Sequence, residues 1–252
     1  MKPKILILLL AISWIFQACE KGDSANTPSN NASGAGGSTS RMTIAGNYLY
    51  IVSTSSLYTY DISQPSNTVL VSQQPIGWGN IETIFPYRDK LFIGSQSGMF
   101  VFDNSDPKKP KLQGQAQHLR ACDPVVADDD YAYVTLRNNN TFCGGTLNQL
   151  QIYDISGINI LSPKMIGTLD MPEPHGLGQS GTTLYVCMGI NGLNVVDITT
   201  KTKPVSLKTI TGENFVDVIP YGDLLIAFIN GGVALYDISN PTSPLKLSTI
   251  KN

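Results

Sequence analysis

The chain has 252 residues, 42% of them hydrophobic and 14% charged, with a formal net charge of −2. That is enough apolar material for a large core. The charge balance lacks the basic footprint of a nucleic-acid binder, and Lys108, Lys109 and Lys111 read as a solvated turn.

At the N-terminus, Lys2 and Lys4 precede an apolar run from Ile5 to Phe16, the pattern of a signal peptide over residues 1–18 and too short a run to span a membrane comfortably. The run closes on Phe16-Gln17-Ala18-Cys19, which resembles a bacterial lipobox with Phe where Leu is usual. This implies lipidation (palmitate) at Cys19 and an anchor at the bacterial envelope, the outer membrane being the expected site, with no transmembrane span in the mature chain. Residues 19–40 are rich in Ser, Asn, Gly and Ala without apolar periodicity, so they read as a flexible tether.

From Arg41 onward one motif recurs. Apolar residues run into an Asp, then Ile or Asn, then Ser or Thr, and usually a Pro-bearing turn: LYTYDISQPSN, MFVFDNSDPKKP, LQIYDISGINILSP, LNVVDITTKTKP and VALYDISNPTSP. The Asp residues are Asp61, Asp103, Asp154, Asp197 and Asp237, at gaps of 42, 51, 43 and 40. A period of that size points to a propeller or solenoid. In the last repeat, strands are expected at Val216 to Tyr221, Leu224 to Ile229, Val233 to Ile238 and Leu245 to Ile250, with Gly222-Asp223 and Gly231-Gly232 as the tight turns. Four antiparallel strands repeated five times predict an all-β, five-bladed β-propeller over residues 41–252. The five Asp residues stand where the third strand leaves the sheet, so they are expected to accept backbone N–H bonds in the following turn rather than to form a catalytic array.

These repeats resemble the LVIVD-repeat family of bacterial propeller lipoproteins, on Asn194-Val195-Val196-Asp197-Ile198 and Leu235-Tyr236-Asp237-Ile238-Ser239, with Arg120 to Val126 and Pro174-His175-Gly176-Leu177-Gly178 as further similar segments. The resemblance implies a fold and an envelope location, and no general activity. No strand is left over to latch the ring, so closure is expected either from packing of blade five on blade one or from tether residues near Ser38 to Arg41.

The third repeat is longer by about ten residues between its second and third strands, a tolerant place for an insertion. Strand direction puts Cys122, before the first strand, and Cys143, in the insertion, on the same face of one blade. They form a candidate disulfide, worth about 3 kcal/mol in the chain-entropy treatment. Cys187 reads as a buried strand residue, and the spacing of cysteines and histidines fits no ordinary metal site.

That same inlet face, where the chain joins each blade, gathers Trp78, Asn80, Glu82, His118, Arg120, Asp123, Glu173, His175, Glu213 and Asn214. It is the candidate binding face. No catalytic residue, metal or cofactor is assigned. The expected function is a non-enzymatic binding or scaffold module for a glycan, peptide or envelope protein. The alternative is a hydrolase or metal-dependent enzyme using paired carboxylates, or His118, His175 and Asp123, on this face.

Overall fold

The computed structural model describes residues 37–77, 80–118, 124–138 and 147–251. Twenty strands form five four-stranded antiparallel sheets, each from consecutive strands. Blade one is β1 (Met42–Ala45), β2 (Tyr48–Val52), β3 (Ser56–Asp61) and β4 (Val69–Pro75). Blade two is β5 (Ile81–Tyr87), β6 (Lys90–Ser95), β7 (Gly98–Asp103) and β8 (Lys111–Gln117). Blade three is β9 (Val125–Ala127), β10 (Tyr131–Leu136), β11 (Gln149–Asp154) and β12 (Lys164–Asp170), with a 3-10 turn at Gly157–Leu161. Blade four is β13 (Leu177–Ser180), β14 (Thr183–Cys187), β15 (Leu193–Asp197) and β16 (Val205–Ile210). Blade five is β17 (Phe215–Tyr221), β18 (Leu224–Ile229), β19 (Gly232–Asp237) and β20 (Leu245–Lys251). The five-bladed, all-β expectation holds, and the strands of the last repeat fall within a residue of their expected bounds.

The repeat is visible at atomic scale in two devices. In every blade the pairing of third and fourth strands slips by one residue next to the apolar residue before the motif Asp, at Thr59/Tyr60, Val101/Phe102, Ile152/Tyr153, Val195/Val196 and Leu235/Tyr236. A bulge there bends and twists the outer strand. Beside it, each motif Asp accepts the backbone N–H two residues on: Ser63 at 2.9 Å, Ser105 at 3.0 Å, and Ser156, Thr199 and Ser239 at 2.8 Å. The five are turn-formers, as read from the sequence.

Blades stack through apolar faces. Leu57 and Val52 of blade one meet Leu91, Ile93, Phe100 and Phe102 of blade two. Met99 and Val101 of blade two meet Val134 and Tyr153 of blade three. Leu150 and Ile152 meet Leu184 and Val196, and Tyr185, Cys187, Leu193 and Val195 meet Leu225, Ala227 and Tyr236. Cys187 is fully buried in the last of these. Each fully buried Val, Leu, Ile or Phe side chain contributes about 1.5–3 kcal/mol. None of the four clusters joins blade five to blade one.

The seam is bridged by chain that composition assigns to the tether. Gly37 to Ser40 packs among the innermost strands, with Ser38 buried to 1% exposure. The Ser38 hydroxyl donates to Asp217 Oδ1 at 3.0 Å, and the Thr39 amide and hydroxyl donate to Asp217 Oδ2 at 3.1 and 2.7 Å. Ser38 Oγ accepts the Leu177 amide of blade four at 2.7 Å, and the Ser40 carbonyl accepts the Ile84 amide of blade two at 2.8 Å. Of the two closures left open by the sequence, the tether residues supply one, from within the channel and not as an edge strand.

Candidate functional site

The inlet ends of the innermost strands are irregular, and the irregularity places side chains. In β5 the register shifts between Ile81 and Thr83, so Glu82 is the extra residue of a bulge. Its Oε1 accepts Gln96 Nε2 at 3.0 Å, and Asn80 Nδ2 donates to Gln96 Oε1 at 3.3 Å. Gln96 is itself buried, so Glu82 and Asn80 are held by one rigid amide. The matching shift in β17, between Phe215 and Asp217, turns Asp217 inward to the 37–40 segment.

His175 precedes β13 and is pinned through its backbone on both sides. Its amide donates to the Cys187 carbonyl at 2.7 Å, and its carbonyl accepts the Thr135 hydroxyl of blade three at 2.6 Å. The imidazole lies against Gly189, where a Cβ would stand 3.2 Å from His175 Nε2 and 3.6 Å from Asn214 Oδ1. Gly189 has a φ of 56°, so both the backbone and the space call for glycine. Burial, then the nearby Arg137 charge, pushes the His175 pKa down to about 4, so the ring is neutral at pH 7.

Arg137 completes the group and was not foreseen from the sequence. It follows β10 directly and is half-buried. Burial pulls its pKa below the ordinary guanidinium value, while the carboxylates of Glu82 and Glu173 oppose that shift. Among the described residues it makes no hydrogen bond or ion pair. A lone Arg at a strand end carries no signal in one sequence; the hint was its place just ahead of the insertion of the longest repeat. Glu173, exposed between two prolines, has a φ of 44°, a left-handed conformation uncommon for a side-chain-bearing residue.

The remaining candidates separate from this group. His118 follows β8, the outermost strand of blade two, and lines a groove with Ser97, Phe100, Gln115 and Gln117. Glu213 ion-pairs with Lys246 at 3.0 Å and Lys251 at 3.4 Å on β20, and the Lys246 hydrogen bond leads in holding its carboxyl below the usual range. Glu82, His175 and Asn214 therefore share the inner mouth with Arg137, Asn80 adjoins through Gln96, and His118 and Glu213 engage outermost strands. Trp78, Arg120 and Asp123, the Cys122–Cys143 pair and Cys19 lie outside the described residues. Among the described residues no three His, Cys, Asp or Glu side chains are grouped to hold a metal, and no helix is long and apolar enough to cross a membrane.

Chemically, the inner mouth offers guanidinium donors, two carboxylate acceptors, a neutral imidazole that both donates and accepts, and side-chain amides. Such a mixture suits a hydroxyl-bearing ligand.

A family model of the LVIVD repeat matches residues 36–74, 179–211 and 217–250, which cover most of blades one, four and five. No curated protein matches the sequence. Among solved structures the chain is similar to a protein from Lactobacillus plantarum, at 15% identity and a TM-score of 0.64 over 81% of this chain and 67% of that one. It is similar to the periplasmic gluconolactonase of Pseudomonas aeruginosa, at 14% identity and 0.61 over 82% and 68%. It is also similar to a hypothetical selenium-binding protein from Sulfolobus tokodaii, at 14% and 0.59 over 82% and 59%. The chain spans 60% and 59% of the first two structures it matches, and identities this low speak to the fold alone.

Proposed function

Because this chain belongs to the LVIVD-repeat β-propellers, we propose that it is an envelope lipoprotein, anchored through Cys19, whose inner mouth binds a glycan without transforming it. The observation that carries the reading is Arg137: a half-buried guanidinium with no hydrogen bond among the described residues, set between Glu82, Glu173 and a neutral His175. A partly desolvated cation gains most when a ligand supplies the oxygens its surroundings lack. Sugar hydroxyls also have use for the carboxylate and amide acceptors beside it. Cys122 and Cys143, as a disulfide, would brace the same face.

The test is a glycan screen by calorimetry on the secreted chain carrying Cys19→Ala. Binding should weaken about 30-fold or more in Arg137→Ala and in Glu82→Gln, with melting temperature kept within a few degrees. Binding untouched by both substitutions overturns the site, and release of a cleaved product from a bound sugar overturns the non-enzymatic reading. The anchor is tested separately by palmitate labelling, which Cys19→Ala should abolish while moving the protein out of the membrane fraction.

A further inference from the structure

The chain builds the same blade-to-blade interface four times and leaves half of it uncovered at each end. On blade two, the face turned to blade one presents Ile84, Leu91, Ile93, Phe100 and Phe102, all buried. By strand register the same positions on blade one are Met42, Leu49, Ile51, Tyr58 and Tyr60. Met42 is 62% exposed and the other four are half-buried. Ile44, on the same face of β1, is 51% exposed.

Blade five mirrors this. On blade four, Tyr185, Cys187, Leu193 and Val195 face blade five and are fully buried. Their register equivalents are Ile226, Phe228, Val233 and Leu235. Phe228 is 53% exposed and the others are half-buried. The two faces are apolar and keep the strand alternation of the internal interfaces, yet they do not cover each other. Glu20 to Ser40 carries no alternating apolar pattern of the kind the blades use. Apolar surface of this kind, contiguous across two strands, marks an interaction site.

We infer that the face of blade five bearing Ile226 and Phe228 docks on the face of blade one bearing Met42 and Tyr58 in a second copy of this chain. Each face is the partner half that the other's counterpart already meets inside the chain: blade four's face covers blade five, and blade two's face covers blade one. A second copy therefore continues an interface whose packing the chain has already solved. The contact is head-to-tail, so two copies using both faces close a ring, and more copies make a larger one.

The full chain carrying Cys19→Ser, so that acyl groups cannot drive association, is followed by sedimentation equilibrium between about 1 and 100 µM. The wild-type surface should give dimers or larger rings. Phe228→Asp alone and Met42→Asp alone should each be monomeric, with association weakened about 30-fold or more. Both sites are exposed, and circular dichroism confirms that each variant folds. Mixed in equal amounts, the two variants should form a dimer and nothing larger, because one intact blade-five face meets one intact blade-one face. A monomeric wild-type chain throughout overturns the inference. So does association that survives either substitution, or a mixture that stays monomeric.

Discussion

The five motif aspartates announce in sequence the donors they accept, and Asp217 does not. Asp154 takes the Ser156 amide and hydroxyl and the Asn159 amide group, at 2.8, 2.6 and 2.8 Å, all within five residues. That local pattern was legible because the turn chemistry sits next to the strand it ends. Asp217 takes Ser38 and Thr39 from 179 and 178 residues away, so nothing near it in sequence marks it. Replacing Asp154 with Ala should cost about 1 kcal/mol in chemical unfolding, and Asn should recover part of it. The Ser156 hydroxyl, then its amide, hold the Asp154 carboxyl below the usual range. A carboxyl depressed in the folded state stabilises above its ordinary pKa, so this contribution is lost as pH falls through the depressed value. His175 titrates in a different window. Its folded pKa of about 4 lies under the ordinary 6.5, so the unfolded chain binds the proton first and stability falls between those two values as pH drops. His175→Gln should flatten the unfolding midpoint against pH across that window and leave the steeper loss below it.

Among elements, the segment Gly37 to Ser40 is where sequence and structure part most. Its Ser-rich composition is that of a linker, and composition reports what a segment can bury by itself, not what a distant carboxylate can hold. The bonds it makes are polar and long-range, which hydrophobic periodicity does not register. The segment runs so close beside β17 that a Cβ on Gly37 would overlap the Asp217 carboxylate, as would one on Gly176 just ahead of β13. A chain starting at Arg41 should therefore lose about 2–4 kcal/mol relative to one starting at Cys19, and Asp217→Ala in the longer chain should lose a similar amount. In the shorter chain Asp217→Ala should cost much less, since the partners are already gone. Equal losses in both backgrounds, read by urea midpoints, would mean that Asp217 acts elsewhere.

For the molecule, the blade count and strand order followed from one motif, because each repeat is a single supersecondary unit with its own turn chemistry. The radial position of each inlet residue did not follow. Repeat logic puts His118 and His175 on one face, but only the sheet order shows that one leaves an outermost strand and the other leads into an innermost one. Four packed seams and one held by a few hydrogen bonds also change how the protein comes apart. A closed ring has no ends to fray. Five blades joined by four apolar contacts behave as a linear array, in which each unit leans on its neighbours and the terminal units have one neighbour fewer. Amide hydrogen exchange on dilute protein should be slowest in β10, β11, β14 and β15 and faster by ten-fold or more in β3 and β19, as end units open without the centre. Cutting the Ser38–Asp217 clasp should steepen that gradient, turning a nearly all-or-none unfolding transition into stepwise peeling from either end.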